Sequence, residues 1–243
     1  MNQKNHIHLD QDWGLFIGTF NDNQIHQHYA VQLSIALDSP INIKDKDANN
    51  LTQSTILIKS NVVHLLQSEH PHLLLLFNPS SPIGYTLQCY KQKNIAEFDH
   101  KIAKQLRLAG QNFLLKLHDF SEFIQLVKKI LSPFALEHYS IKDERLKKAL
   151  DYLFKHHTRV ISLDEIASYV HLSSSRFLHL FKTTTSISFR RYQLWNKIQQ
   201  SLPYLNQQSI TKTAYQFGFS DSAHYTRTFK QNFGFSPKFL SKQ

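Results

Sequence analysis

The stretch SITKTAYQFGFSDSAHYTRTFK, residues 209–230, repeats an earlier stretch, SLDEIASYVHLSSSRFLHLFK, residues 162–182. Matching residues stand 47 positions apart at the start of the two stretches and 48 apart at their ends, so the second copy carries a one-residue insertion in its turn. The matched pairs are Ser162 and Ser209, Leu163 and Ile210, Ala167 and Ala214, Ser174 and Ser222, Phe177 and Tyr225, Phe181 and Phe229, and Lys182 and Lys230. A duplicated unit is a far more specific signal than a single copy.

Each copy has the pattern of two short helices joined by a tight turn. Ser162 and Glu165 form a capping box, and apolar residues follow at the spacing of one helix face. Ser173 and Asp221 are the predicted caps of the second helix in each copy. We therefore predict two helix-turn-helix units, residues 162–182 and 209–230.

A helix over about residues 189–206 is predicted to connect the two units. Pro203 lies near its end, where the missing N–H should kink or terminate it. Ser236 and Pro237 then supply an N-cap and a proline at the first helical position, which predicts a last short helix.

The residues GFSDSAHYTRTFK (218–230), followed by FGFSP (233–237), resemble the signature of the AraC/XylS family of bacterial transcription regulators. The resemblance extends over about residues 142–240. It implies a sequence-specific DNA-binding transcription regulator, either an activator or a repressor. Its two recognition helices would lie about 34 Å apart and enter successive major grooves of double-stranded DNA. RNA polymerase would be a further partner of an activator.

The recognition helices would be Ser174–Lys182 and Asp221–Lys230, and their outward residues are the candidates for DNA contact. The predicted base contacts are Ser175, His179, Ser222, His224 and Arg227. The predicted contacts with the DNA backbone are Arg176, Lys182, Arg190, Lys197 and Lys230. Arg227 has the chemistry to reach either guanine or a phosphate.

The distribution of charge agrees with a polyanionic partner for the C-terminal half. The first 140 residues carry 12 basic and 12 acidic residues, whereas the remaining residues carry 16 and 6 and so account for the whole net charge of +10. A non-specific nucleic-acid packaging protein would need only this charge. The repeated, capped helix-turn-helix units favour specific binding instead.

The N-terminal half has the pattern of short strands. Residues 29–37 alternate between large apolar side chains and small or polar ones, which predicts a strand. Further strands are predicted over residues 13–20, 55–59, 62–67, 73–77 and 84–90. Several short strands at this spacing favour a small barrel or sandwich.

Four polar residues on these strands resemble the motifs of the cupin fold. His26, His28 and Gln32 have the spacing of the first cupin motif, and His64 has the place of the second motif's histidine. We predict a cupin-like barrel in which these four residues line a pocket for a small-molecule effector. Gln32 offers a neutral amide, a poorer metal ligand than a carboxylate. We therefore assign no metal and no cofactor, and expect hydrogen bonds within or at the mouth of the barrel.

An alternative function depends on the same histidines. A metal-dependent cupin enzyme, with the basic half as a nucleic-acid-binding appendage, would use His26, His28 and His64 as ligands. We expect a regulator that is not an enzyme, because the repeated motif in the basic half is the more specific signal.

The sequence predicts two domains: a cupin-like sensor or dimerisation domain over residues 1–137 and the DNA-binding domain over residues 138–243. Amphipathic helices over residues 97–131 close the first domain and are candidates for a homodimer contact. Ser132-Pro133 and residues 138–142 are predicted to form the linker.

The composition excludes several other classes of protein. Apolar residues make up 41% of the chain, which is enough for a core, and the longest apolar block, residues 73–77, is far too short to span a membrane. The start has no apolar signal segment, and Cys89 is the single cysteine. We therefore expect a cytoplasmic protein without disulfides and without a membrane partner.

Overall fold

Antiparallel strands followed by helices form the first part of the chain, and short helices alone form the second part. The computed structural model describes residues 5–10, 12–19, 21–22, 24–138, 143–185, 187–205, 207–233 and 236–239. The chain divides into two compact units, residues 1–139 and 140–243. The β-rich first unit and the helical second unit confirm the predicted fold class.

The strands of the first unit pair into two antiparallel sheets. They are β1 (His6–Leu9), β2 (Trp13–Gly18), β3 (Val31–Ala36), β4 (Ile41–Asp45), β5 (Asn50–Gln53), β6 (Thr55–Ile58), β7 (His64–Gln67), β8 (His72–Phe77) and β9 (Ile95–Glu97). The larger sheet has the order β1-β2-β8-β3-β6-β9, and the smaller sheet has the order β5-β4-β7. Leu33 at the centre of the larger sheet lies opposite Leu57 on one side and Leu75 on the other.

The larger sheet packs against apolar side chains on both of its faces. On β3, Leu33 and Ile35 belong to a core shared with helices, whereas Ala36 belongs to a core shared with Ile43 of the smaller sheet. Successive side chains of a strand point to opposite faces, so all of β3 is buried. Gln32 has the parity of Ala36 and therefore brings its amide to the face covered by the smaller sheet.

Helices cover the opposite face of the larger sheet. They are α1 (Pro82–Cys89), α2 (Lys101–Leu114) and α3 (Phe120–His138). The predicted strand over residues 84–90 is wrong, because most of this segment lies in α1. The Ser81 hydroxyl accepts a hydrogen bond from the Gly84 N–H at 3.2 Å, and Pro82 occupies the first turn, two local signals that favour a helix.

The helix that closes the first unit is longer than predicted. α3 continues through Pro133 to His138, so Ser132-Pro133 does not begin the linker. Leu131 and Phe134 on either side of the proline are both buried, and this burial outweighs the backbone hydrogen bond that proline cannot donate. Residues 139–142 of the predicted linker lie outside the described residues.

The second unit is built from short helices. They are α4 (Glu144–Lys155), α5 (Leu163–Tyr169), α6 (Ser174–Thr185), α7 (Phe189–Ser201), α8 (Ile210–Gln216) and α9 (Ser222–Phe233). Two single 3₁₀ turns, Leu202–Tyr204 and Pro237–Phe239, occur among the described residues. α7 ends directly before the turn that contains Pro203, as predicted, and the pairs α5–α6 and α8–α9 form the two helix-turn-helix units.

Among the helices that the structure describes, none is long and apolar enough to cross a membrane.

Candidate nucleic-acid interface

The two helix-turn-helix units have the same backbone geometry at their turns. His171 and Gly218, 47 residues apart, both have a positive φ, of 55° and 69°. The N–H of each donates to the carbonyl three residues earlier, at 3.1 Å in both units. The next N–H, of Leu172 or Phe219, donates to the carbonyl five residues earlier at 2.9 Å in both units. The sequence repeat is therefore a structural repeat.

Ser220 is the inserted residue of the second unit. It stands between Phe219, which matches Leu172, and the cap Asp221, which matches Ser173. Its hydroxyl lies 3.1 Å from His224 Nδ1 and donates to Asp221 Oδ2 at 3.0 Å. The insertion thus adds a polar contact to a residue of the first turn of α9, and nothing in the sequence pattern assigned it that role.

Side-chain caps fix where the helices of the two units begin. Ser162 Oγ accepts from the Glu165 N–H at 3.1 Å, and Ser209 Oγ accepts from the Lys212 N–H at 3.2 Å. These are matching positions at the starts of α5 and α8. The sequence also named Ser173 and Asp221 as caps, and their side chains accept from the N–H groups of Arg176 and His224 at 3.4 and 2.6 Å. The predicted caps Ser162, Ser173 and Asp221 are confirmed. The Glu165 carboxylate, the other half of the predicted capping box, accepts instead from the Tyr152 hydroxyl at 2.7 Å and from the Arg159 guanidinium at 2.9 Å.

Buried aromatic side chains set which face of each recognition helix turns outward. Phe177, Phe181, Tyr225 and Phe229 are fully buried, so they form the core and do not stack on bases. The Tyr225 hydroxyl also lies 2.8 Å from the Ser201 hydroxyl, a hydrogen bond between α9 and α7. Thr185 on α6 and Thr228 and Phe233 on α9 are buried as well, and the opposite side of each helix faces solvent.

Most of the predicted DNA contacts lie on these outward faces. Ser175, Arg176, His179, Lys182, Arg190, Arg227 and Lys230 are exposed, and Ser222 and His224 are partly exposed. The offset of 48 residues matches Arg176 with His224 and His179 with Arg227. Each recognition helix therefore presents one arginine and one histidine a turn apart, in opposite order.

Lys197 is the exception among the predicted backbone contacts. Only 4% of its surface is exposed, and its ammonium group donates to the Gly218 carbonyl at 3.0 Å. Burial also lowers the pKa of Lys197. The predicted contact between Lys197 and a DNA phosphate is therefore wrong, because the side chain runs inward and supports the second turn. The helical pattern of α7 alone did not indicate this inward orientation.

The four predicted pocket residues of the first unit come together. His26, His28, Gln32 and His64 are all buried, and the His64 ring centroid lies 4.6 Å from that of His26 and 4.9 Å from that of His28. His28 Nε2 lies 2.9 Å from Gln32 Oε1. Gln32 lies on β3, whereas His26 and His28 lie in the segment before this strand. An isolated bridge between His26 and His64 brings His64 to them, in the place that the resemblance to the cupin motifs implied.

Asp22 is a member of this cluster that the sequence did not reveal. Asp22 Oδ2 accepts from the Leu66 N–H at 2.6 Å and lies 3.6 Å from His26 Nδ1. Burial raises the pKa of Asp22 to about 7 and lowers the pKa of His26 to about 4. His26 is therefore neutral near pH 7, and the contact is not an ion pair there.

Comparisons with known proteins agree with the geometry of the second unit. Residues 166–243 match the family model described as "Helix-turn-helix domain". The uncharacterized HTH-type transcriptional regulator YdeC of Bacillus subtilis is 23% identical over 231 residues, which cover 92% of this chain and 79% of that protein. The regulatory protein PocR of Salmonella typhimurium is 29% identical over 103 residues, 42% of this chain and 34% of PocR.

A solved structure supports the fold over both units. The apo form of a ToxT variant from Vibrio cholerae has a TM-score of 0.63 at 12% sequence identity, and the match covers 96% of this chain and 98% of that one. Wild-type ToxT bound to an unsaturated fatty acid has a TM-score of 0.57 at 14% identity, and that match covers 96% of each chain. At this level of identity the likeness concerns the fold alone.

Proposed function

We propose that the chain is a DNA-binding transcription regulator with an AraC-type helix-turn-helix domain at its C-terminus. One chain then contacts two successive major grooves through α6 and α9. The observation that carries this proposal is the structural repeat: both units have the same turn, the same cap at the first helix and the same buried aromatic positions. Because the two recognition helices are held by matching turns, caps and core residues, each can enter a major groove. The two grooves then lie one helical turn of the DNA apart.

The chemistry of the outward residues divides them between bases and phosphates. An arginine can donate two hydrogen bonds to guanine O6 and N7, and serine and histidine can bond to base edges. We assign Ser175, His179, Ser222, His224 and Arg227 to bases. We assign Arg176, Lys182, Arg190 and Lys230 to the DNA backbone and leave out the buried Lys197.

The opposite order of arginine and histidine on the two helices predicts an asymmetric target. Arg176 precedes His179 on α6, whereas His224 precedes Arg227 on α9. At the matching positions assigned to bases, α6 therefore offers His179 where α9 offers Arg227. A single chain should prefer a site with two unlike elements about 10 base pairs apart.

The first unit is proposed as the regulatory part of the protein. We propose that residues 1–137 sense an effector or form a homodimer through α2 and α3, and that residues 138–243 bind DNA. The pocket residues His26, His28, Gln32 and His64 are the proposed place for a small molecule. We further propose that the protein acts in the cytoplasm, has no catalytic activity, and contacts RNA polymerase if it activates transcription.

Selection from a random pool of duplex DNA tests the proposal. The purified full chain at near-physiological salt should enrich one motif with two unlike elements about 10 base pairs apart, and a dimer should add a mirrored copy.

Two variants separate base contacts from backbone contacts. Arg227→Ala should reduce the binding free energy by about 1–3 kcal/mol and relax the base preference at one element, whereas Lys230→Ala should weaken binding to all sequences alike. Enrichment of no sequence, with or without cell extract as a source of effector, would refute specific binding.

A further inference from the structure

Polar side chains of α7 form hydrogen bonds with segments on both sides of this helix. They are Gln193, Asn196, Lys197 and Ser201, and the last three are buried. Because hydrogen bonds weaken steeply when they are stretched or bent, each of these bonds restricts how its partner segment can lie against α7. The two helix-turn-helix units are therefore constrained by more than the chain connection through this helix.

Gln193 binds the residue that leads into the first helix-turn-helix unit. Its side-chain oxygen accepts from the Ile161 N–H at 2.8 Å, and its Nε2 donates to the Ile161 carbonyl oxygen at 3.0 Å. Ile161 directly precedes Ser162, the cap of α5. A movement of α5 that preserved one of the two bonds would bend the other, so the amide fixes both the distance and the direction of this unit.

The segment after α4 lies directly against the turn of the second helix-turn-helix unit. The rings of His157 and Phe217 stack with their centroids 5.6 Å apart. A Cβ atom at Gly218 would lie 2.5 Å from the Thr158 carbonyl oxygen, so the missing side chain lets the two backbones approach. Lys197 Nζ donates to the Gly218 carbonyl oxygen at 3.0 Å. The turn is thus held between α7 and the segment that leads to α5.

A hydroxyl group that only the second copy of the repeat contains binds α9 to α7. Tyr225 Oη lies 2.8 Å from Ser201 Oγ, and both side chains are fully buried. Ser201 Oγ itself donates to the Ile198 carbonyl oxygen at 2.6 Å, so the Tyr225 hydroxyl is the donor of the pair. The matching residue of the first copy is Phe177. The hydroxyl therefore has a role in the connection to α7 that the repeat itself does not require.

We infer that Gln193, Lys197 and Tyr225 are positioning residues that fix the distance between α6 and α9 before DNA is bound, so that the chain accepts a single spacing between its two DNA elements. The inference rests on the proposed contact of one chain with two grooves and adds the side chains that set the spacing. One extra base pair shifts an element by about 3.4 Å and rotates it by about 35°. The bonds to α7 prevent the recognition helices from following that shift.

The distance between two spin labels tests the fixed arrangement without DNA. Thr183 on α6 and Gln231 on α9 are exposed and stand at matching positions, 48 residues apart. The full chain with Cys89→Ser, Thr183→Cys and Gln231→Cys should give one narrow distance distribution by double electron–electron resonance. Gln193→Ala combined with Tyr225→Phe should broaden it. A broad distribution in the parent chain, or an unchanged one in the combined variant, would overturn the inference.

Two further variants make this measurement decisive. Gln200→Ala is the matched control, since Gln193 and Gln200 are both half-buried glutamines of α7, and it should leave the distribution narrow. Tyr225→Phe alone keeps the buried ring, so it provides the test for α9 if the combined variant does not fold. We expect it to broaden the distribution as well, and an unchanged width would remove Tyr225 from the positioning residues.

DNA duplexes with altered spacing test the consequence for recognition. Inserting or deleting one base pair between the two elements should lower the affinity of the parent chain about tenfold or more, because one recognition helix loses its base contacts. In Gln193→Ala combined with Tyr225→Phe this spacing penalty should be several times smaller. A purely structural role of the two residues would instead lower the affinity for every duplex alike, and an unchanged penalty would refute the positioning role.

The two measurements also separate this inference from the proposed function. If the chain enriches no DNA sequence, the proposed function fails, while the labels still report whether α6 and α9 are held at one distance in the free protein. If a motif is enriched but the parent chain tolerates an altered spacing, specific DNA binding stands and the positioning role is refuted.

Discussion

His171 and Gly218 stand 47 residues apart and take the same left-handed backbone conformation in the two helix-turn-helix turns. The two turns nevertheless tolerate different side chains. A Cβ atom added at Gly218 would lie 2.5 Å from the Thr158 carbonyl oxygen and 2.9 Å from Lys197 Nζ. The first turn already contains a residue with a Cβ atom. Equivalent positions thus have the same conformation but different surroundings.

Gly218→Ala should lower the free energy of unfolding of the second unit by about 2 kcal/mol or more, because the left-handed conformation and the contact with Thr158 both oppose a Cβ atom. His171→Ala is the matched control and should change it by less than about 0.5 kcal/mol, since the residue already has a Cβ atom. Urea unfolding in a Trp13→Phe background, where Trp195 is the remaining tryptophan, measures this unit. Equal losses in both variants would contradict the difference between the two turns.

Ser220→Ala should relax base preference in the part of the DNA motif contacted by α9. The Ser220 hydroxyl lies 3.1 Å from His224 Nδ1, and without it the imidazole has fewer constraints on its orientation. We expect a loss of discrimination of about 1 kcal/mol there and none in the part contacted by α6. Ser175→Ala should instead reduce discrimination in the part contacted by α6 and leave the part contacted by α9 unchanged. Selection from a random pool measures both, and a change spread evenly over the motif would argue against a positioning role for Ser220.

Lys197→Met should destabilise the second unit by about 1 kcal/mol, because the Gly218 carbonyl loses the hydrogen bond that the Lys197 ammonium group donates. It should leave the salt dependence of DNA binding unchanged, whereas Lys230→Met should reduce the slope of log affinity against log salt by about 1. Binding measured at several salt concentrations separates the two lysines. A reduced slope in Lys197→Met would restore this residue to the set of phosphate contacts.

His72 should make the first unit less stable as the pH falls. Burial lowers the pKa of His72 to about 4, and the pKa of histidine in an unfolded chain is near 6.5. Between these values the unfolded state binds more protons than the folded state. The contribution of neutral His72 to the free energy of unfolding is therefore complete above pH 6.5 and falls by about 3 kcal/mol as the pH decreases to about 4.

His72→Gln should flatten the dependence of unfolding free energy on pH in this window. Urea unfolding followed through Trp13, in a Trp195→Phe background, measures the first unit. His70→Gln, at a more exposed position, should keep the slope of the parent chain. A slope that stays the same in His72→Gln would show that other groups govern the acid sensitivity.

Local signals explain why the second unit was predicted well. Serine and aspartate caps, apolar residues at helical spacing and the repeat at 47–48 residues act within one or two turns, so they determine the helices before any long-range contact forms. α1 was missed although its signals, Ser81 and Pro82, are equally local. The alternation around its apolar residues favoured a strand, and the capping pair was the better indicator.

The sequence by itself determined the two helix-turn-helix units, the strand character of the first unit and the parity that places His28 and Gln32 on one face. The resemblance to the cupin motifs implied His64 as well, but only the tertiary structure decided that Asp22 joins them, that Lys197 turns inward, and that Ser220 contacts His224. The physical reason is the range of the interactions. Capping and periodicity depend on neighbours in the chain, whereas strand pairing and burial depend on segments that meet only after folding.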